Sequence, residues 1–288
     1  ASPAGQPWFA RYFPGELLLG DAASRDAALH SVQACIPHKT VLPTGVDSIA
    51  TGADWTYGPA TVVAWERERN GDDFVYDLRI EDAHGRLCER WEGLRLHAVA
   101  PIDAPSPWPA ALLVPYFERR LAELFPVAHM QISFTRDGDE GGNGLLHRPD
   151  GKPEAAVNPR VHVSRSHAGT IILEVRSQEP VGCDVEPFAG RNQADWQGLL
   201  GPQSFSLAQT IAKESKIPLD WAATQVWALK EALRKNGTGL DEHLHLEKQF
   251  ADGWAVLSRG CVRAALLHTF IHDSEAGFAF AFVSRRPQ

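Results

Sequence analysis

Between Val99 and Pro109 the chain reads VAPIDAPSPWP, with four prolines in eleven residues. Proline fixes φ and removes a backbone donor, so such a stretch cannot fill a helix interior or a central strand. The segment is expected to be an extended connector. It divides the 288 residues into a piece at 1–100, a linker at 101–109 and a piece at 110–288. No internal repeat or long low-complexity tract competes with that division.

Composition narrows the classes of chain. Only 22% of residues are charged, and nine Trp with thirteen Phe supply ample apolar surface, which excludes a disordered chain. No run approaches the ~18 apolar residues of a membrane span, and residues 1–30 lack a basic-then-apolar signal segment. A net charge of -8 argues against nucleic acid or an anionic membrane as partner. Cys35, Cys88, Cys183 and Cys261 are far apart and form no CxxC pair, which reads as reduced thiols in a cytoplasmic protein. Position 1 is Ala and the one methionine is Met130. The chain is therefore expected to be cut or processed from something longer.

The spacing predicts a helix over Ser24–Ile36, with Ser24 as its cap and Pro37 as its stop. Strands are expected at Ala60–Arg67, Asp73–Ile80 and Arg86–Val99, with a His84-Gly85 turn. A helix followed by antiparallel strands suggests a sheet wrapped on a helix. Beyond the connector, Ala110–Phe125 reads as a helix carrying Pro115, followed by a Gly- and Asp-rich loop at Asp137–Gly151. Strands at Arg160–Ser164, Thr170–Val175 and Val181–Glu186 precede a helix at Asp220–Lys235, and late strands fall at Trp254–Leu257 and Gly277–Val283. The fold class is α+β.

The sharpest motif is Val181-Gly-Cys-Asp-Val-Glu186. On a strand, Gly182, Asp184 and Glu186 share one face, while Val181, Cys183 and Val185 seek the core. Two adjacent carboxylates repel unless a cation sits between them, and Mg²⁺ takes oxygen ligands of this kind. An exposed acidic strand edge is the plain alternative. The second motif is Trp227-Ala-Leu-Lys-Glu-Ala-Leu-Arg-Lys235, begun by Asp220 as cap and ended by Asn236-Gly237. Ala222, Val226, Leu229 and Leu233 form a buried stripe. Trp227, Lys230, Glu231, Arg234 and Lys235 fall on the opposite side. A solvated helix laced with ion pairs is the alternative here, and Trp227 is the anomaly in it. Taken together, Glu231 completes a three-carboxylate Mg²⁺ site, and Lys230 with Lys235 binds phosphates held by the same metal.

VGCDVE followed by WALKEALRK resembles the 4′-phosphopantetheinyl transferases. Gly151-Lys152-Pro153, Ser166-His167 and Asn236-Gly-Thr-Gly239 are similar to further family signatures, and they stand in family order. The resemblance implies a transferase-like α+β domain from Ala110 to the C-terminus. It implies Asp184, Glu186 and Glu231 as Mg²⁺ ligands, and Lys152, Ser166, His167, Lys230 and Lys235 as contacts to coenzyme A. Glu231, with Asp184 and Lys235 beside it, would activate a serine of an acyl carrier protein to attack coenzyme A and release 3′,5′-ADP. The stretch before Gly151 is shorter than in surfactin-type members, which implies an abbreviated half or a homo-oligomer. Arg148 and Arg160 are the candidates for the adenosine side.

Asp26-Ala-Ala-Leu-His30 resembles the DxxxQ/H motif of the second hot-dog of polyketide synthase dehydratases, where Asp26 would be the acid and His30 its helix neighbour. None of the twelve histidines has Gly at +4 and Pro at +9, so the histidine of the first hot-dog is missing. This piece is expected to be a partial hot-dog, inactive as a dehydratase. The pair of resemblances implies the end of an enediyne-type iterative polyketide synthase that modifies its own carrier domain.

Overall fold

The computed structural model describes residues 22–52, 59–102, 107–126, 128–136, 145–147, 153–155, 161–238, 244–272 and 274–285. The chain divides into two compact units, Ala1–Ile102 and Asp103–Gln288. Among the described residues all pairings between strands are antiparallel. No helix among the described residues is long and apolar enough to cross a membrane. All four cysteines are free.

In the first unit, helix α1 (Ala22–Val32) runs into a single 3-10 turn, Gln33–Cys35. Ser24 thus lies inside the helix and does not cap it. Five strands follow: β1 (Lys39–Gly45), β2 (Ser48–Thr51), β3 (Thr61–Asn70), β4 (Asp73–Glu81) and β5 (Leu87–Pro101). Their order is β1-β5-β4-β3, with β2 also paired to the long β5. Phe74, Tyr76, Leu78 and Ile80 all turn inward, as their alternation predicts, and meet Ala28, Val32 and Ile36 with Trp91, Leu94 and Leu96. Gly85 takes φ +76 in the expected turn.

The connector is shorter than the prolines suggest. β5 continues to Pro101, which lies opposite Lys39 at the end of edge strand β1. The pairing of β5 with β4 ends at His97, so the last residues of β5 have a partner strand on one side only and a residue that cannot donate is tolerated there. At the other end Trp108 is buried in the second unit, where its N–H donates to the Phe270 carbonyl at 2.7 Å.

The second unit begins with α2 (Ala110–Leu124), whose Leu113, Tyr116, Phe117, Leu121 and Leu124 form its buried stripe around an interior Pro115. Strands β6 (Gln131–Arg136), β7 (Leu145–His147), β8 (Pro153–Ala155), β9 (His162–Ala168), β10 (Ile171–Ser177) and β11 (Val181–Pro187) come next. Helices α3 (Gln193–Leu200), α4 (Pro202–Ser215) and α5 (Leu219–Asn236) lead to β12 (His245–Gln249), β13 (Trp254–Arg259), β14 (Val262–Phe270) and β15 (Gly277–Arg285). A three-stranded sheet, β6-β10-β9, and a five-stranded one, β11-β15-β14-β13-β12, carry the fold, beside the β7-β8 hairpin.

The five-stranded sheet is buried on both faces. Phe278, Phe280 and Phe282 of β15 face α2 and the smaller sheet, with Trp254, Val256, Ala265 and Leu267. The alternate residues Ala281 and Val283 face α4 and α5, with Ala255, Leu257, Ala264 and Leu266. Small side chains on that second face let α5 lie close to the strands.

Candidate active site

Strand β11 is the element around which the site is built. The sequence reading leaves open room beside Gly182; the structure fills that room with α5. A Cβ on Gly182 would stand 2.0 Å from the Ala232 carbonyl oxygen. The glycine admits a helix backbone, and no exposed acidic edge exists: Asp184 is 3% exposed. Val181, Cys183 and Val185 occupy the other core, as expected.

Serines of β9 border the free side of β11. Ser164 Oγ accepts the Cys183 N–H at 2.9 Å. Ser166 Oγ accepts the Val185 N–H at 3.4 Å and donates to Asp184 Oδ1 at 2.7 Å. Ser166 therefore orients a carboxylate. His167, next along the strand, is exposed on the opposite side, so the structure does not bring it to Asp184.

Helix α5 supplies the rest. Lys235 Nζ is 2.6 Å from Asp184 Oδ1 and 3.2 Å from the Cys183 carbonyl oxygen. Trp227 Nε1 donates to Glu186 Oε1 at 3.2 Å, which accounts for a tryptophan on a charged face. Glu231 is held by Arg234 at 2.5 Å. The single polar face read from the sequence is in fact split. Lys230 turns away and donates to the Leu200 carbonyl at 3.0 Å, beside a cleft of about 530 Å³ between α4, α5 and β12. Asp220 does not cap α5, whose N-cap is Pro218; it accepts Trp196 Nε1 at 2.7 Å. Gly237 ends the helix at φ +81, as expected, and Asn236 Nδ2 donates to the Pro180 carbonyl at the start of β11.

Burial pushes the Asp184 carboxyl above its ordinary value against the pull of Lys235 and Ser166, and Glu231 adds to the rise. Glu186 is raised by burial and by the charge of Asp184. The three acids therefore sense one another. They do not close around a common point: among the described residues no group of three His, Cys, Asp or Glu is arranged to hold a metal ion. Asp184 Oδ2 nevertheless is buried with no hydrogen-bond partner, a vacancy in bonding that suits a hard cation. The Cys183 thiol is pushed up to about 12 by burial, so it is no nucleophile.

Lys152, Gly151, Arg148, Arg160 and Gly239 lie outside the described residues. The sequence reading passes over Ser164. Its signal was the same alternation that placed Ser166, two residues further along β9.

In the first unit, Asp26 and His30 stand on the outer side of α1, 70% and 80% exposed, with Asp26 Oδ2 3.6 Å from His30 Nε2. No further acid or base joins them among the described residues.

A search among curated proteins finds no match to the chain. A family model of the polyketide synthase dehydratase N-terminal domain matches residues 14–104. This range is almost the whole first unit, and a helix against an antiparallel sheet agrees with a hot-dog-like dehydratase domain. The match names the N-terminal domain, where the Asp26 motif pointed to the second hot-dog.

Proposed function

We propose that residues 103–288 transfer 4′-phosphopantetheine from coenzyme A to a serine of an acyl carrier protein. One observation carries this reading. The VGCDVE strand and the WALKEALRK helix pack directly on each other, with Lys235 on Asp184 and Trp227 on Glu186. Neither motif predicts the other on structural grounds alone.

In this reading Asp184, Glu186 and Glu231, which do not close around a common point here, would be the residues to hold Mg²⁺, and the ion would neutralise charge on the diphosphate. Lys235 adds a second cation for the same phosphates. Glu231, 23% exposed where Asp184 is 4% exposed, would accept the proton of the carrier serine. The serine Oγ–P bond forms as the bond between the two phosphates of the diphosphate breaks, and 3′,5′-ADP leaves. Incubation of the chain with coenzyme A, Mg²⁺ and an apo-carrier should add the mass of the phosphopantetheine arm to the carrier. No gain, or a gain unaffected by Asp184→Ala and by chelator, overturns the reading.

A second reading belongs to the first unit and rests on the family match at residues 14–104. We infer a dehydratase-type domain that meets a carrier-bound 3-hydroxyacyl chain in a polyketide synthase. With Asp26 and His30 in solvent, this unit alone is proposed to be silent. Enoyl product from a 3-hydroxyacyl thioester, lost in Asp26→Asn, would overturn that silence.

A further inference from the structure

Lys230 stands apart from the acids around β11. Helix α5 carries it to the far edge of the polar arc, where its ammonium donates to the Leu200 carbonyl at 3.0 Å. That neutral oxygen satisfies one of three N–H donors and none of the charge. Among the described residues Lys230 forms no ion pair. The cleft of about 530 Å³ beside it has an apolar lining of Leu207, Val226, Leu229, Leu233, Leu244 and Leu246, the first and last of them half-buried. Lys230 and His245 are basic, the polar groups that α4 adds are neutral, and no acid is among the described residues that line it. The whole chain carries 36 Asp and Glu against 28 Lys and Arg, so the lining reverses the general balance.

We propose that this cleft binds an aliphatic carboxylate, its chain lying on the leucines and its head paired with Lys230. The inference does not rest on the transferase reading. Three features fix the class of ligand. The volume falls within the roughly 300–1,000 Å³ of small-molecule sites. Leucine and valine walls suit an alkyl chain, whereas the polar groups of a sugar or a base would be left without partners on them. A single lysine, with no second cation at hydrogen-bonding reach of Leu200, matches one carboxylate head and not a polyphosphate. The ammonium keeps its bond to the Leu200 carbonyl and still has two donors for the carboxylate oxygens.

The test is a calorimetric titration of the full chain with dodecanoate, kept below its micelle threshold, which should show one molecule bound per chain. Lys230→Gln keeps a donor for the Leu200 carbonyl but removes the charge. It should weaken binding about ten- to a hundredfold, the scale of a hydrogen bond to a charged group. Thr210→Trp, at an exposed position of α4 that lines the cleft, should obstruct it and abolish binding. Dodecyltrimethylammonium carries the same chain on a cationic head and should bind the parent at least about tenfold more weakly than dodecanoate. Dodecanoate binding that is absent, or that either folded variant retains at parental strength, overturns the inference. Equal uptake of the cationic amphiphile overturns it too. So does displacement of dodecanoate by coenzyme A, which would make the cleft part of another ligand's site.

Discussion

Asp184 and Asp26 are both acids with a basic neighbour, yet their surroundings give them different physical weight. Asp26 and His30 form an exposed i,i+4 pair, worth a few tenths of a kcal/mol at most. Asp26→Asn should leave the unfolding free energy of the first unit in urea within about 0.5 kcal/mol of the parent. Asp184 is enclosed, and each of its bonds counts. Ser166→Ala removes the hydroxyl that donates to Asp184 Oδ1 and accepts from Val185. It should cost the second unit about 1–3 kcal/mol in urea unfolding. Trp227→Phe tests the other strand acid. It keeps the ring but loses the bond to Glu186, so carrier loading should fall about ten- to a hundredfold with little change in melting temperature. The sequence displays these acids and their order plainly. It does not display their burial, because a DxE on a strand looks the same whether solvent or a helix lies above it.

At the level of elements, the site is a contact between one strand and one helix. Gly182 lets α5 approach β11 until the helix backbone touches the strand. Gly182→Ala should force the two apart and cost about 1–3 kcal/mol by overpacking, seen as a lower melting transition of the second unit and weaker metal binding. Periodicity read α5 well: its buried stripe, its polar residues and its Gly237 stop are all where the pattern puts them. The pattern could not divide the polar arc. Lys230 and Lys235 sit at its two edges, and tertiary neighbours send one to α3 and the other to β11. β14 escaped notice for a related reason. Val262–Phe270 is buried along both faces, so its apolar residues do not alternate. β1 was hidden by Pro43, which an edge strand accommodates.

Across the molecule, the two units have separate cores, one drawn from residues 28–98 and the others from residues 108–283. Each should show its own unfolding transition, and acid should move the two in opposite directions. Asp82 in the first unit is held far below its ordinary 3.8, chiefly by the Arg86 N–H. Its contribution is present above that ordinary value and is lost as pH falls toward the folded one. Asp184 and Glu186 are raised above 3.8 and 4.5 by burial. The folded second unit thus keeps their protons longer than the unfolded chain does. Their contribution is full below those ordinary values and is lost as pH rises through the folded ones. Melts between about pH 3 and 7 should show the first transition rising and the acid-pair part of the second falling; Asp184→Asn should flatten the latter. The two compact units part between Ile102 and Asp103, within the proline-rich stretch, and both ends of that stretch belong to folded structure. Strand β15 has one more consequence. Its phenylalanines press on α2 while its alanines seat α5, so the strand acts as a shim whose thickness is set by methyl groups. A swap such as Ala281→Leu, at the position of β15 opposite Asp184, would lift the helix and detune the spacing of the acids. Tolerance in the chemistry is thereby fixed by the least reactive side chains in the unit.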